Sequence, residues 1–132
     1  MNSIVIQLAG ESRFFKPGQK LKGSTVWTAD PIPHRVEVRL FWFTSGAAPV
    51  QVGIVNRRVI KNVKDRRSTA FEFTMPPGPW SFAGRLVNLH WAVEVVLFPC
   101  RANAITRITL SPNGYRINPF RDEEPEAEWR EM

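Results

Sequence analysis

The longest alternating segment of the chain, residues 87–97, places the strongest restriction on the fold. Its odd positions are all apolar: Val87, Leu89, Trp91, Val93, Val95 and Leu97. Its even positions hold Asn88, His90, Ala92, Glu94 and Val96. A period of two predicts a β-strand that turns one face toward a core. We therefore expect Trp91 to be buried on that face.

The same period recurs in shorter segments that are separated by turn residues. We predict strands at Ile4–Leu8, Ser24–Thr28, Val36–Phe43, Val50–Val55 and Phe71–Met75, with a last strand around Ile108 and Leu110. No segment combines helical periodicity with caps. Several short strands within 132 residues, a length typical of one domain, predict an all-β fold with a single immunoglobulin-like antiparallel sandwich.

A proline-rich stretch, PPGPWSFAG at residues 76–84, directly precedes the long alternating strand. Its prolines cannot donate to a β-ladder, so we expect them to end the Phe71–Met75 strand. A rigid entry would also fix the register of residues 87–97, where a slip by one residue would invert every core side chain. Gly84 would permit a close approach of the two segments. Trp80 is either part of this architecture or part of a contact surface.

Taken in order, these motifs resemble the N-terminal domain of the arrestin family. The matching segments are FKPGQKLKG at 15–23, FEFTMP at 71–76 and PWSFAG at 79–84, followed by the long strand with its aromatic residue at Trp91. The resemblance covers about residues 3–112 and implies an arrestin-like sandwich that acts as a noncatalytic adaptor or scaffold. Arrestins carry two tandem sandwiches, whereas this chain has room for one, so no phosphate-sensing residues are transferred to it.

The sequence offers few groups for catalysis. Its histidines, His34 and His90, have no second nitrogen or sulfur ligand at a useful spacing, so neither suggests zinc. The single cysteine, Cys100, follows a proline at a strand end and is predicted to be a small apolar filler. No nucleophile elbow or phosphate-binding glycine loop is present. We expect no enzyme activity, no cofactor or metal, and no small-molecule substrate.

The compartment expected from the sequence is the cytoplasm. The first residues show neither a basic region nor a long apolar run of the kind found in secretory signals. A single cysteine excludes an intrachain disulfide and fits a reducing compartment.

Charge divides the chain into a basic body and an acidic tail. Residues 121–132 carry a formal charge of −4, and residues 1–120 carry +10. We predict a sandwich domain at residues 1–118 and a flexible acidic tail at residues 119–132. This polarity favours either an anionic partner for the body or a tail that folds back on it.

The basic segment, residues 56–67, is the sharpest feature outside the predicted core. Its cationic residues are Arg57, Arg58, Lys61, Lys64, Arg66 and Arg67. This segment is either a solvated hairpin or an anion-facing loop that contacts a partner. Because it lacks aromatic residues for base stacking, we favour an acidic protein partner over nucleic acid or an anionic membrane. The candidate partner-binding residues are these six and Trp80, with strand addition at an edge near the N-terminal strand or near the basic segment.

Overall fold

Two β-sheets face each other across one apolar core in a computed structural model, which describes residues 2–111 except 11, 48 and 85. The described residues contain nine strands and no helix, and hence no helix that could cross a membrane. The predicted all-β sandwich is therefore confirmed. The predicted acidic tail and the end of the predicted domain, at residue 118, lie outside the described residues.

The strands follow one another in short steps along the chain. In chain order they are β1 (Ser3–Leu8), β2 (Phe14–Phe15), β3 (Lys20–Thr28), β4 (Arg35–Gly46), β5 (Val52–Lys61), β6 (Ser68–Thr74), β7 (Phe82–Ala83), β8 (Val87–Phe98) and β9 (Asn103–Leu110). The smaller sheet has the order β1-β3-β6, and the larger has the order β2-β9-β8-β4-β5. The short strand β7 pairs with β8, outside this path.

The antiparallel pair β4–β8 is the centre of the larger sheet. Each strand has 12 residues, and they pair along their whole length, with Trp42 opposite Trp91. The core face of β8 is buried at Leu89, Trp91, Val93, Val95 and Leu97. Trp91 has an exposed fraction of 0%, which confirms its predicted burial. Ala92 and Val96, on the opposite face, are buried too, so parts of that face are also shielded from solvent.

The proline-rich stretch holds the start of β8 in place. β6 ends at Thr74, immediately before the prolines, as predicted. The indole N–H of Trp91 donates to the Pro79 carbonyl oxygen at 2.6 Å, and β7 pairs Phe82 with Leu89. The turn between β7 and β8 requires glycine at position 84, because a Cβ atom there would lie only 2.6 Å from the Val87 carbonyl oxygen. These contacts supply a physical basis for the predicted control of register.

Several strand boundaries differ from the prediction. The segment predicted to be a strand only at Val50–Val55 forms β5 at Val52–Lys61, so the expected loop at residues 56–61 is wrong. Most residues of β5 are exposed on both faces, so the strand lacks the alternation that marks a half-buried strand. β3 begins at Lys20, four residues before the predicted start at Ser24. The strands β2 and β7 have two residues each and were not predicted.

Replacing Trp91 with Ala should destabilise the protein by about 3–5 kcal/mol, because it leaves a cavity in the core. Urea denaturation followed by circular dichroism measures this loss. The control, Trp91→Phe, keeps an aromatic ring and leaves the Pro79 carbonyl without its donor, so it should cost roughly 1–3 kcal/mol. A loss below about 1 kcal/mol for Trp91→Ala would contradict the central position of this residue.

Candidate interaction surface

The strand β5 forms one edge of the larger sheet, with β4 as its neighbour. It carries cationic residues at Arg57, Arg58 and Lys61 and has no acidic residue. Its exposed apolar residues are Val52, Ile54, Val55 and Val59. An edge strand leaves half of its backbone hydrogen-bonding groups unpaired, so it can accept another extended segment.

The six cationic residues of the basic segment do not form a single loop, which corrects the prediction. Arg57 pairs with Arg39 and Lys61 with Arg35, on the outer face of the larger sheet. Arg58 pairs with the buried Val38 and therefore lies on the face toward the smaller sheet. The other three, Lys64, Arg66 and Arg67, belong to the crossing at residues 62–67, which connects the two sheets.

Arg58 bridges the open side of the sandwich between β5 and β6. Its Nη2 donates to the Glu72 carbonyl oxygen at 3.2 Å, and its Cζ lies 5.5 Å from the centroid of the Phe73 ring. The groove beside it has a volume of about 630 Å³ and is also lined by Lys20 and Lys22. These two lysines enter through the pairing of β3 with β6. Sequence reasoning missed them because they lie more than thirty residues from the basic segment.

The crossing has an anchored backbone and exposed cationic side chains. Val63 is fully buried, and its N–H donates to the His34 carbonyl oxygen at 3.3 Å. The Trp27 N–H donates to the Arg67 carbonyl oxygen at 2.9 Å, which ties the crossing to β3. The exposed cationic residues of the crossing are Lys64, Arg66 and Arg67. Because the backbone is fixed at both ends, these charges have a defined position beside the end of β5.

A carboxylate on the outer face organises several arginines. The Glu37 side chain is only 9% exposed, and its Oε1 lies 2.9 Å from the Arg39 Nε and 3.9 Å from the Arg57 Nη1. Its Oε2 lies 4.0 Å from the Arg35 Nε, and the Arg39 Nη1 also reaches Glu94 at 3.4 Å. Glu37 thus offsets part of the charge of Arg57, whereas no ion pair among the described residues involves Arg58, Arg66 or Arg67.

A β-bulge divides β5 into two parts. The pairing with β4 places Leu40 opposite Asn56 and Phe41 opposite Ile54, which leaves Val55 as the extra residue. Residues 56–61 form an uninterrupted ladder beyond the bulge. A bulge bends an edge strand and interrupts further pairing, so any added strand is restricted to a short stretch.

Trp80 lies away from the basic segment. It is half-buried and packs against the core. It belongs to the segment before β7, which pairs with β8, while β5 lies on the far side of β4. The structure therefore does not place Trp80 on the same surface as β5, and the packing supports its architectural role.

The groups considered for chemistry are also dispersed. His34 lies in the loop before β4, and His90 lies within β8. Cys100 is half-buried and packs against the core, which fits its predicted role as an apolar filler.

No protein-family model and no curated protein sequence matches this chain. Among solved structures, it is similar to the crystal structure of Spo0M, a sporulation control protein from Bacillus subtilis, with a TM-score of 0.57 and 14% sequence identity. The fold is an arrestin-like β-sandwich. The match covers 83% of this chain and 49% of Spo0M, so this chain spans about half the length of that protein. At this identity the likeness concerns the fold alone.

Replacing Glu37 with Gln should destabilise the protein by roughly 1–3 kcal/mol, because it removes the charged acceptor of Arg39 and leaves neighbouring arginines without an offset. Urea denaturation at low salt measures the change. The matched control is Glu72→Gln, since Glu72 pairs with Lys20 at 3.6 Å while both side chains are about half exposed. An exposed pair contributes at most about 1 kcal/mol. Equal losses in both variants would contradict the organising role of Glu37.

Proposed function

We propose that this chain is a noncatalytic protein–protein interaction module that accepts an extended acidic segment of a partner along β5. One observation carries the proposal: β5 is an edge strand with three cationic residues, no acidic residue and exposed β-branched side chains. Strand addition would supply register through backbone hydrogen bonds, and the side chains would supply selectivity. The role of this chain, as an adaptor or as a subunit of a larger assembly, stays a prediction. Its cytoplasmic location stays a prediction too.

Charge distinguishes β5 from the other predicted edge. The strand β1 is one edge of the smaller sheet, as predicted, and it exposes Val5. Its sequence, SIVIQL, contains no charged residue. An acidic segment would therefore gain electrostatic attraction at β5 and none from the side chains of β1.

The same charges disfavour the pairing of β5 with a second copy of itself. Two β5 strands side by side would bring Arg57, Arg58 and Lys61 of both copies together, and like charges opposite each other destabilise a strand pair. An acidic segment in place of the second β5 would instead be attracted to these cationic residues. The ladder at residues 56–61 is long enough for a partner segment of about six residues, since mean strand lengths are of that order.

The alternative function is an anion-binding module that contacts nucleic acid or an anionic membrane through the basic segment. Such binding is favoured by many cations on one surface. Here the six cationic residues are divided among the outer face, the groove and the crossing. This division supports the acidic protein over the alternative.

The decisive experiment begins with a pull-down from native cells and mass spectrometry, with and without nuclease. Surface plasmon resonance then compares the wild type with a quadruple charge reversal, in which Glu replaces Arg57, Lys61, Arg66 and Arg67. We leave Arg58 unchanged because its hydrogen bond to the Glu72 carbonyl oxygen joins the two sheets, so its loss would affect stability. The reversal should slow association at least about tenfold at low salt and change dissociation less, because exposed charges act mainly through steering.

The matched control reverses the same number of charges away from β5, at Arg13, Lys16, Arg101 and Arg107, all of which are exposed. It has the same net charge as the test variant and should associate faster than that variant. Equal association rates for the two variants would contradict a role of β5. Recovery that depends on nucleic acid, or binding to phosphatidylserine vesicles without a protein partner, would favour the alternative.

A further inference from the structure

A cavity, called the notch below, lies where β7 and β9 pair with successive parts of the same edge of β8. β9 pairs with β8 up to the contact of Ile108 with Trp91, and β7 pairs with the next part of β8 through Phe82 and Leu89. Ser81 joins the ends of β7 and β9, because its N–H donates to the Leu110 carbonyl oxygen at 2.8 Å and its Oγ accepts from the Leu110 N–H at 2.9 Å. Hydrogen bonds thus frame the notch on three sides.

The lining of the notch combines apolar and cationic groups. Its volume is about 420 Å³, within the ordinary range of small-molecule sites. The apolar part is formed by Phe14, Phe82, Ala83, Leu89 and Ile108. The polar part is formed by Arg13, Ser81, His90, Arg107 and Thr109. None of the described residues that line it is acidic, so its charge is positive.

Arg107 is held in position by two neighbours. Its Cζ lies 5.3 Å from the centroid of the Phe43 ring, and its Nη1 lies 3.3 Å from the His90 Nδ1. A guanidinium can only donate, so Nδ1 accepts and the proton of neutral His90 is on Nε2, which donates to the Ser45 Oγ at 2.9 Å. Partial burial, reinforced by the charge of Arg107, lowers the pKa of His90 from its ordinary value. His90 is therefore neutral at pH 7 and orients Arg107.

The two arginines of the notch are available to an anion. Ion pairs between described residues involve Glu37, Glu72 and Glu94, and none of them reaches Arg13 or Arg107. A guanidinium fork matches the two oxygens of a carboxylate. The adjoining aromatic and aliphatic side chains suit an apolar group attached to that carboxylate, because such sites gain affinity from apolar burial and orientation from a few polar groups.

We propose that this notch binds a small organic carboxylate with an aliphatic or aromatic group. Arg13 and Arg107 contact the carboxylate, and the apolar group packs against Phe14, Phe82 and Leu89. This site is separate from β5, which lies beyond β4 on the opposite side of β8. The sequence alone predicts no small-molecule ligand, since Arg13 and Phe14 are distant along the chain from the other lining residues, which lie between Ser81 and Thr109.

Isothermal titration calorimetry with octanoate tests this proposal on the full chain. Octanamide keeps the apolar group without the charge, and acetate keeps the charge without the apolar group. Octanoate should bind at least about tenfold more tightly than either, because it alone satisfies both parts of the notch. Equal affinities for octanoate and octanamide, or no heat at millimolar octanoate, would overturn the proposal.

Substitutions then place the ligand in the notch. Arg107→Gln should weaken octanoate binding at least about tenfold, as expected when one partner of a charge-assisted contact is removed. The control is Arg101→Gln, because Arg101 is exposed outside the notch and lies over Phe98. Arg13→Gln provides a second test if Arg107→Gln fails to fold. Unchanged affinity in the folded notch variants would also overturn the proposal, whatever the outcome for β5.

Discussion

The hydrogen bond from Trp91 to the Pro79 carbonyl oxygen is the contact on which the rest of the sandwich depends. It joins the fully buried centre of β8 to the proline-rich segment that leads into the same strand. Because β8 pairs with β4 over its whole length, the position of Trp91 determines the position of the larger sheet's central pair. Those two strands in turn carry β5 on one side and β9 on the other. Both proposed binding surfaces are therefore positioned by one buried region.

Residues with strong period-two patterns could be placed from the sequence. The alternation from Val87 to Leu97 predicts the buried face of β8, and the prolines after Met75 predict the end of β6. β5 could not be placed correctly, because most of its residues are exposed on both faces and its bulge at Val55 breaks the period. Strands of two residues, such as β2 and β7, are too short to show any period.

The candidate sites were less predictable than the fold, because they depend on contacts between distant segments. The sequence shows six cationic residues in one run, but the alternation within β5 sends Arg57 and Arg58 to opposite faces. The notch is lined by both Arg13, which lies just before β2, and Arg107, which lies in β9 near the other end of the described chain. The linear sequence contains no signal for this proximity, because it results from the parallel pairing of β2 with β9.

The bulge at Val55 has a consequence for insertions and deletions. The extra residue shifts the alternation of side chains between the two faces of β5, so that Gly53 lies opposite Trp42 while Ile54 faces outward. A Cβ atom on Gly53 would overlap the indole ring of Trp42, so glycine is required at this position. Loss of Val55 would turn the bulge into regular pairing and leave Ile54 opposite Phe41 and Gly53 opposite Trp42. Sequences of this fold that lack the residue at position 55 can therefore keep the residues at positions 53 and 42 unchanged.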